Sequence, residues 1–464
     1  MLLTFLEKLS EPYIFFNKFS VLHKNHPFLC STTKLLHKKS YIEDDKGNSI
    51  VKNAILNQRK ERDELLARSY VPRQTGYDFE ELLKSPTIKL LTGPRRVGKS
   101  TQALLMLRGK NFAYLNFDDN ELLKNWNEDI AEGLLEDVYP NYEYLLLDEV
   151  QNVKGWDVWV GKLYRRGVNL VITGSNANML SSEMATVLTG RYLEIRMLPF
   201  SLAEFFEFKQ VDPSKAEPLK VESLQGDFLK NGGYPETIAQ RTIASAYLQT
   251  LFDSIVYKDV VRRHKVRKAV DLNNVAMFLL SNFTGTFSYS NVAEDLGLSS
   301  VGSTKKFMDY LHEPFLFYYL DRYDNKLKLM KKAPRKVYVV DNGFVSARAF
   351  NLSENLGKLL ENQVFIELLH RGYSTEKTLF YYRSRNDRET DFVLREGNRV
   401  KQLVQVCYDL SKSKTEKREV DSLVECAGEL GCNDLIIVTW NEERVIEKDG
   451  YTVKVVPVGK FSKI

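Results

Sequence analysis

The sequence contains only four cysteines, and they form neither a Cys-x-x-Cys pair nor a zinc-binding spacing. This excludes a small disulfide-stabilised domain and predicts the reduced thiols of a cytosolic protein. No run of about eighteen apolar residues occurs, which excludes a membrane-spanning helix, and the first residues lack the basic region and apolar core of a secretory signal. We therefore expect a cytoplasmic protein with no membrane partner.

Neither sign of charge dominates, because 66 Lys and Arg residues stand against 61 Asp and Glu residues. The net charge of +5 is compatible with a nucleic-acid partner but does not by itself indicate one. Hydrophobic residues make up 43% of the chain, as in ordinary globular proteins. A chain of 464 residues predicts about three domains, each with its own core.

The most informative segment runs from Lys89 to Leu107. An apolar strand ends at Gly93, and a helix with an apolar face begins after Gly98. The segment Gly93–Ser100 has the pattern G-x-x-x-x-G-K-S, in which glycines let backbone N–H groups surround a polyphosphate at a helix N-terminus. An ordinary glycine-rich turn is the alternative. We predict a nucleotide site formed by Gly93, Pro94, Arg95, Arg96, Val97, Gly98, Lys99, Ser100 and Thr101.

A second apolar segment, 144–147, ends in the acidic pair Asp148 and Glu149. Carboxylates at the carboxyl end of a buried parallel strand lie where open α/β sheets bind ligands. We expect Lys99 to contact the β and γ phosphates of ATP, and Ser100 and Asp148 to hold Mg²⁺. Glu149 is then the group that polarises the attacking water.

Three further polar residues are candidates for the same reaction. Ser175 and Asn176 follow the strand 169–173, where a polar side chain would orient the water, although either residue also suits a helix N-cap. Arg191 lies before the strand 192–197 and is a candidate arginine finger for a neighbouring subunit's nucleotide, which would require a homo-oligomer. A salt-bridged surface arginine is the alternative.

The pattern beyond residue 198 is helical and then mixed. Helices are predicted at 201–208, 221–230 and 242–263, around a turn at Gly232 and Gly233, and together they suggest a lid. A helix and its turn at 288–298, a second helix at 299–311, an apolar stretch at 315–320, a basic hairpin at 326–336 and a strand at 336–340 describe a winged helix. Such a domain binds DNA through its second helix or serves only protein contacts, and both alternatives remain open.

The last region predicts the order α-β-β-β-α-β. Its elements are a helix at 355–371, strands at 379–383, 390–395 and 401–408, a helix at 414–430 and a strand at 434–440. This order would bring Glu361, Asp391, Gln405 and Cys407 to one end of a small sheet.

These residues together resemble a family of archaeal and bacterial AAA+-type ATPases that end in an uncharacterised domain similar to PD-(D/E)xK nucleases. The resemblance covers about residues 51–458. It depends on eight groups of residues: Gly93–Ser100, Leu147–Gln151, Thr173–Asn176, Gly232–Glu236, Lys336–Gly343, Leu360–Leu369, Glu389–Leu394 and Gln405–Leu410.

The resemblance implies ATP binding and hydrolysis in the first half of the chain, and a nuclease-like site in the last domain. Glu361 and Asp391 match the acidic positions of that site, whereas Gln405 and Cys407 occupy the positions of an expected Glu and Lys. A thiol does not supply the fixed positive charge of lysine. We therefore expect an inactive domain that binds a protein partner, with Lys401 as the alternative source of the missing lysine.

The predicted fold class is α/β: a P-loop NTPase parallel sheet with a helical lid, then a winged helix and a small α/β nuclease-like domain. We expect an extension of unassigned role at 1–50, the ATPase core with two leading helices at 51–198, the lid at 199–269, the winged helix at 270–345 and the last domain at 346–464. The leading hypothesis is an ATPase with ATP and Mg²⁺ as cofactors, in which nucleotide state moves the domains, with or without nucleic acid. An ATP-dependent nuclease and a slow ATP-dependent switch that recruits a protein partner are the alternatives.

Overall fold

The structure is a computed structural model and describes residues 27–176, 188, 190–348 and 356–462, with side chains from residue 47 onward. The sequence after Asn176 also predicts a helix that reaches Leu188, and this segment lies almost entirely outside the described residues. Within them, no helix combines the length and apolar character needed to cross a membrane.

A five-stranded sheet forms the centre of the first domain. Its strands are β1 (Ile88–Thr92), β2 (Phe112–Asn116), β3 (Tyr144–Asp148), β4 (Asn169–Gly174) and β5 (Tyr192–Arg196). They are ordered β2-β3-β4-β1-β5, and every neighbouring pair is parallel. The inner strands β3 and β4 contain unbroken apolar runs because both faces of the sheet are covered there, whereas the edge strand β5 alternates and is only partly buried. Their carboxyl ends therefore meet at one edge, which is where the predicted site residues lie.

Helices flank this sheet, and the two predicted leading helices are confirmed. The helices are α1 (Pro27–Leu66), α2 (Phe79–Lys84), α3 (Lys99–Met106), α4 (Asn120–Lys124), α5 (Glu128–Val138) and α6 (Trp156–Arg165). Local sequence sets several of their starts, since Asp78 and Asn127 accept hydrogen bonds from backbone N–H groups of the first turns of α2 and α5. The sequence predicts these two helices at 53–68 and at about 79–84, and α1 begins well before residue 53.

The predicted lid region is helical as expected. It consists of α7 (Leu202–Phe208), α8 (Pro218–Asn231), α9 (Pro235–Ala239) and α10 (Ala244–Ser254), followed without a break by a π-helical segment, Ile255–Arg262. A capping box between Ser201 and Glu204 starts α7. The turn at Gly232 has φ +71° and lies so close to Asp341 that a Cβ atom there would be 1.8 Å from the Oδ1 atom.

The next region contains α11 (Ala269–Ser281), β6 (Thr286–Phe287), α12 (Tyr289–Asp295), α13 (Val301–His312), β7 (Phe317–Leu320), α14 (Leu327–Lys332), β8 (Arg335–Val339) and α15 (Asn342–Arg348). Its three strands form an antiparallel sheet in the order β6-β8-β7. The predicted basic hairpin at 326–336 is wrong, because its centre is the helix α14. Leu, Lys and Met are strong helix formers, and the basic pattern concealed this preference.

The last region is built on a six-stranded mixed sheet. It contains α16 (Leu356–His370), β9 (Leu379–Arg383), β10 (Glu389–Glu396), β11 (Arg399–Val406), α17 (Ser413–Leu430), β12 (Leu435–Thr439), β13 (Arg444–Lys448), β14 (Tyr451–Pro457) and α18 (Val458–Phe461). The strand order is β13-β14-β12-β11-β10-β9. The elements predicted here are confirmed, and β13 and β14 are additional strands that the sequence reasoning missed.

Candidate functional site

The loop Gly93–Ser100 connects β1 to α3 at the carboxyl edge of the parallel sheet. Gly93 has φ +142°, and a Cβ atom there would be 1.9 Å from the carbonyl oxygen of Met197. Gly98 precedes α3 with φ +90°. Both positions therefore require glycine, since side chains are disfavoured at such φ values. All nine residues predicted for the nucleotide site form this one continuous loop and the start of its helix, with Thr101 in the first turn of α3.

Lys99 is almost completely buried beneath this loop. Its Nζ atom donates hydrogen bonds to the carbonyl oxygens of Gly93 (3.1 Å) and Pro94 (2.8 Å) and lies 3.8 Å from Glu149 Oε1. Burial lowers the pKa of Lys99, and the carboxylates of Glu149 and Asp148 oppose that shift. The ammonium group is thus held inside the loop, close to the acidic pair.

Asp148 ends β3 and accepts three hydrogen bonds from hydroxyl groups. Ser100 Oγ donates to Asp148 Oδ1 at 2.8 Å, Tyr114 Oη donates to Oδ2 at 3.2 Å, and Thr173 Oγ1 also donates to Oδ1. Burial and the neighbouring Glu149 charge raise the pKa of Asp148 to about 6. The contact with Ser100 places the two predicted Mg²⁺-binding residues side by side.

Glu149 is adjacent in sequence but has different surroundings. Its backbone is left-handed (φ 52°), and its N–H donates to Thr173 Oγ1 at 3.0 Å. Glu149 Oε2 accepts hydrogen bonds from Ser175 Oγ (3.0 Å) and from Gln151 Nε2. Burial favours a higher pKa for Glu149, but Lys99 and the hydrogen bonds from Gln151 and Ser175 outweigh it, and the pKa is lowered.

The structure separates the remaining sequence candidates. Ser175 contacts Glu149, as described above, and Asn176 follows it after the end of β4. Arg191 immediately precedes β5, at the amino edge of the sheet and therefore opposite the loop Gly93–Ser100. Its guanidinium lies 5.6 Å from the centre of the Tyr164 ring. Arg191 is thus on the far side of the sheet from its own chain's site.

Two arginines connect the loop to other parts of the domain. Arg95 Nη1 lies 3.6 Å from Asp259 Oδ1 in the π-helical segment, and Arg95 Nη2 lies 3.9 Å from Asp118 Oδ1. Arg73 donates to the carbonyl oxygens of Val97 (2.8 Å) and Leu198 (2.6 Å). Arg73 also forms a buried ion pair with Glu204 at 2.9 Å. Through these contacts Arg73 holds the loop in position.

Sequence reasoning missed several members of this site. Tyr114, Gln151 and Thr173 contact the acidic pair, but none belongs to the motif that identified the nucleotide site. Arg73 is a sequence candidate for touching the nucleotide, with a solvated charge as the alternative, and in the structure it is buried against Glu204 and supports the loop through Val97. Thr173 and Gln151 lie within segments on which the family resemblance depends, so position in those segments was the available signal. Nothing in the sequence pattern distinguished Tyr114 from other strand residues.

The nuclease-like residues of the last domain are only partly brought together. Glu361 on α16 and Asp391 on β10 lie on either side of the Lys336 ammonium group, at 3.0 and 2.9 Å. Gln405 Oε1 accepts a hydrogen bond from the Asp391 N–H (3.2 Å), and Gln405 Nε2 donates to Glu419 Oε2 (2.9 Å). Within the described residues, no group of three or more His, Cys, Asp or Glu side chains is arranged to hold a metal ion.

The two candidate substitutes for the expected lysine lie elsewhere. Cys407 Sγ donates to the carbonyl oxygen of Asp409 at 3.3 Å, and burial raises the pKa of its thiol to about 11. Lys401 is exposed and pairs with Glu396 at 3.1 Å, so the sequence-based alternative that placed Lys401 at this site is wrong. The lysine that occupies the acidic site is Lys336, from strand β8.

Sequence profiles of three known domains match the chain. The AAA domain matches residues 85–206, and two domains of unknown function, DUF8612 and DUF4143, match residues 224–355 and 356–461. The first match contains the loop Gly93–Ser100, Asp148 and Glu149. The other two adjoin between residues 355 and 356, so Lys336 and Glu361 lie in different domains.

Two relatives resemble most of the chain. "Uncharacterized protein MJ1544" of Methanocaldococcus jannaschii is 31% identical over 406 residues, which cover 83% of this chain and 90% of the relative. An uncharacterized protein of Haemophilus influenzae is 34% identical over 350 residues, which cover 71% and 84%. Among solved structures, the Walker-type ATPase PABY2304 of Pyrococcus abyssi matches with a TM-score of 0.38 and 14% identity, over 61% of this chain and 99% of that chain. The chain belongs to the same family as these archaeal and bacterial relatives, and its AAA domain identifies it as an AAA+-type P-loop ATPase.

Proposed function

We propose that the protein hydrolyses ATP to ADP and phosphate at the carboxyl edge of the parallel sheet. The observation that carries this proposal is the direct contact between the loop and the acidic pair: Ser100 Oγ is 2.8 Å from Asp148 Oδ1, and Lys99 Nζ is 3.8 Å from Glu149 Oε1. Backbone N–H groups of the loop and the N-terminus of α3 bind the phosphates. Lys99, released from the loop carbonyls, neutralises charge on the β and γ phosphates.

The donor set also fits Mg²⁺. The Ser100 hydroxyl and the Asp148 carboxylate are hard oxygen ligands, and Mg²⁺ in ATPases is held by one or two such groups together with phosphate oxygens. When bound, the metal ion would neutralise charge on the phosphates. The hydroxyl groups of Tyr114 and Thr173 orient the Asp148 carboxylate, which keeps an oxygen directed at Ser100.

Glu149 is the proposed general base for the attacking water. Its lowered pKa keeps it ionised at neutral pH, as a base requires. Ser175 and Gln151 fix one of its oxygens, whereas the other faces Lys99 at 3.8 Å. Asn176 follows Ser175 and is the remaining candidate for orienting the water.

Two substitutions test the assignment. Lys99→Ala should abolish ATP binding and turnover because the phosphates lose their buried cation. Glu149→Gln should still bind ATP but hydrolyse it about 10²- to 10⁴-fold more slowly, the range typical of a lost general base. Both quantities are measured by phosphate release and by equilibrium binding of a fluorescent ATP analogue.

Matched controls use the same residue types at the other end of the domain. Glu143→Gln, just before β3, and Lys110→Ala, a partly exposed lysine paired with Glu80, should leave turnover unchanged. Normal turnover in both Lys99→Ala and Glu149→Gln would contradict the proposed function.

A second candidate function is ATP hydrolysis coupled to DNA. The order α11-β6-α12-α13-β7-α14-β8, in which β7 and β8 pair antiparallel and α14 stands in place of the expected hairpin, supports the interpretation of residues 270–345 as a winged helix. Lys305 and Lys306 are exposed on α13, the helix predicted to contact DNA. Stimulation of turnover by single-stranded, duplex or junction DNA, lost in Lys305→Ala/Lys306→Ala, would support a DNA-linked motor. A rate of ATP turnover that none of these nucleic acids changes would favour the switch that recruits a protein partner.

A further inference from the structure

A buried lysine occupies the acidic cluster of the last domain. Lys336 has only 2% of its surface exposed, and its Nζ atom lies 3.0 Å from Glu361 Oε1, 2.8 Å from Glu389 Oε1 and 2.9 Å from Asp391 Oδ1. An ammonium group has three N–H donors, and these three carboxylate oxygens match all of them. The cluster is thus saturated by a cation from the chain itself.

The carboxylates are also fixed in place by other groups. Tyr338 Oη donates to Glu361 Oε1 at 2.8 Å, Arg383 Nη2 donates to Glu389 Oε2 at 3.0 Å, and the N–H of Val406 donates to Asp391 Oδ2 at 3.0 Å. These contacts orient one oxygen of each carboxylate towards the ammonium group.

The Mg²⁺ implied by the nuclease resemblance does not fit this arrangement. A divalent cation would need the same oxygens at about 2.0–2.6 Å. The ammonium group already takes one oxygen from each carboxylate, and a metal ion beside it would place two cations within the same few ångströms. Binding of the lysine and binding of a metal ion are therefore mutually exclusive.

We propose that Glu361, Glu389 and Asp391 form a cation site whose resident cation is the Lys336 ammonium group. Lys336 belongs to β8, whereas the three carboxylates belong to α16 and β10. The lysine therefore both excludes divalent metal ions and fastens the last domain to the preceding one. In place of the metal centre that the resemblance implies, the cluster supplies one of several contacts between the two domains.

The contact between β8 and α16 does not depend on Lys336 alone. The Asn362 side-chain amide accepts from the N–H of Val339 and donates to its carbonyl oxygen, both at 2.9 Å. The rings of Tyr338 and Phe365 stack with their centres 4.1 Å apart. Substitution of Lys336 should therefore leave the two domains docked, which makes the proposal testable in the full-length protein.

The test is Mn²⁺ binding, measured by electron paramagnetic resonance in the absence of nucleotide. The wild type should bind no Mn²⁺ at this cluster. Lys336→Met, which keeps the apolar stem and removes the charge, should gain one Mn²⁺ site, and its reduced melting temperature should rise again when Mn²⁺ is added. The added site should disappear in Lys336→Met/Asp391→Asn. Lys401→Met, at an exposed lysine, should gain no site.

Two results would overturn the proposal. One is an Asp391-dependent Mn²⁺ site in the wild type, because the lysine would then not exclude the metal. The other is a folded Lys336→Met protein that gains no site. If Lys336→Met does not fold even with Mn²⁺, the double variant Lys336→Met/Glu361→Gln is tested instead. It relieves the charge repulsion and keeps two carboxylates. Mn²⁺ binding by this variant supports the proposal, and the absence of binding overturns it.

Discussion

At the scale of single residues, the acidic pair Asp148 and Glu149 shows how surrounding groups can shift the pKa values of two adjacent carboxylates in opposite directions. Asp148 is surrounded by hydroxyl groups and carries a raised pKa of about 6, because burial and Glu149 outweigh its hydrogen bonds. Glu149 is nearly as buried, but it faces Lys99 and has a lowered pKa. Opposite shifts at neighbouring titratable groups commonly accompany different chemical roles. Here the difference agrees with the proposed roles of metal ligand and base.

Thr173 links the two carboxylates and provides a prediction. Its hydroxyl oxygen accepts the Glu149 N–H at 3.0 Å and donates its proton to Asp148. Thr173→Val keeps the shape but removes both contacts, so Asp148 loses an orienting partner and the left-handed backbone at Glu149 loses its support. We expect ATP turnover to fall about 10- to 100-fold, as for other residues that support metal ligands.

The control is Thr250→Val. This threonine is exposed on α10, and its hydroxyl donates to the carbonyl oxygen of Ala246 at 2.9 Å. It should leave turnover within about twofold, since exposed substitutions away from special contacts have small effects. Thr173→Val turning over ATP as fast as the wild type would show that this hydroxyl does not support the site.

The residues that sequence predicted and those that it missed differ in a physical way. The loop Gly93–Ser100, Asp148 and Glu149 were predicted because phosphate binding imposes residue types at fixed spacing within one segment. Lys336 and the supporting role of Arg73 were missed because each side chain acts on a residue more than twenty positions away in sequence, Lys336 on Asp391 and Arg73 on Glu204. Long, flexible cations have no periodic pattern, so their partners become visible only in the folded chain.

At the scale of elements, the π-helical segment Ile255–Arg262 connects the lid to the nucleotide loop. π-helices are rare and frequently accompany functional sites. Here Asp259 extends from this segment to within 3.6 Å of Arg95 in the loop. A triphosphate at the loop would compete with Asp259 for Arg95. We therefore expect ATP binding to release the lid through this pair, as the hypothesis of nucleotide-driven domain motion requires.

Asp259→Asn tests this coupling. Removal of the competing carboxylate should make ATP binding a few-fold tighter, because Arg95 no longer has to break its ion pair with Asp259 to contact the phosphates. Breaking one partly buried ion pair costs on the order of 1 kcal/mol. The ATP-dependent change in hydrogen exchange at 255–262 should also shrink. Both are measured on the full chain with a fluorescent ATP analogue and by mass spectrometry.

Asp253→Asn is the matched control, since Asp253 lies in the preceding helix α10 and pairs with Arg348 rather than with the loop. It should bind ATP as the wild type does. Weaker ATP binding in Asp259→Asn would mean that Asp259 helps to form the site instead of competing with it, and the proposed release of the lid would then be wrong.

Element prediction succeeded where burial produced a simple pattern. β3 was predicted from its unbroken apolar run, which is buried on both faces. β13 was missed because it lies at the edge of its sheet and alternates weakly, with Val445 62% exposed. α14 was mistaken for a hairpin because its basic residues suggested an exposed wing. Edge strands and short surface helices have little buried area, and their sequences therefore show little hydrophobic periodicity.

At the scale of the whole molecule, helix α16 joins the last domain to the segment that leaves the parallel sheet. Glu367 Oε1 accepts the N–H of Leu202 at 2.9 Å, and His370 Nε2 lies 3.0 Å from the carbonyl oxygen of Pro199. The Glu367 side chain is buried, and His370 is partly buried. Burial lowers the pKa of His370 to about 4, which keeps the imidazole neutral at this joint at neutral pH.

Glu367 makes the stability of this joint depend on pH. Burial raises its pKa from 4.5 to about 7, although the hydrogen bond from Leu202 and the charge of Arg371 oppose the shift. Between these values the folded protein retains a proton that the unfolded chain releases. The contribution of Glu367 to the free energy of unfolding is therefore fully present below about pH 4.5. It is lost as the pH rises to about 7, and the free energy of unfolding falls by at most about 3 kcal/mol over this range.

Glu367→Gln removes this ionisation while its amide oxygen can still accept the N–H of Leu202. We expect the variant and the wild type to melt at similar temperatures at low pH, because both side chains are then neutral. Above about pH 7 the variant should be the more stable, since only the wild type must bury a charge. Thermal unfolding of both proteins across this pH range, with Glu376→Gln as an exposed control, measures the difference. A stability difference that does not change with pH would show that Glu367 is not the group that titrates at this joint.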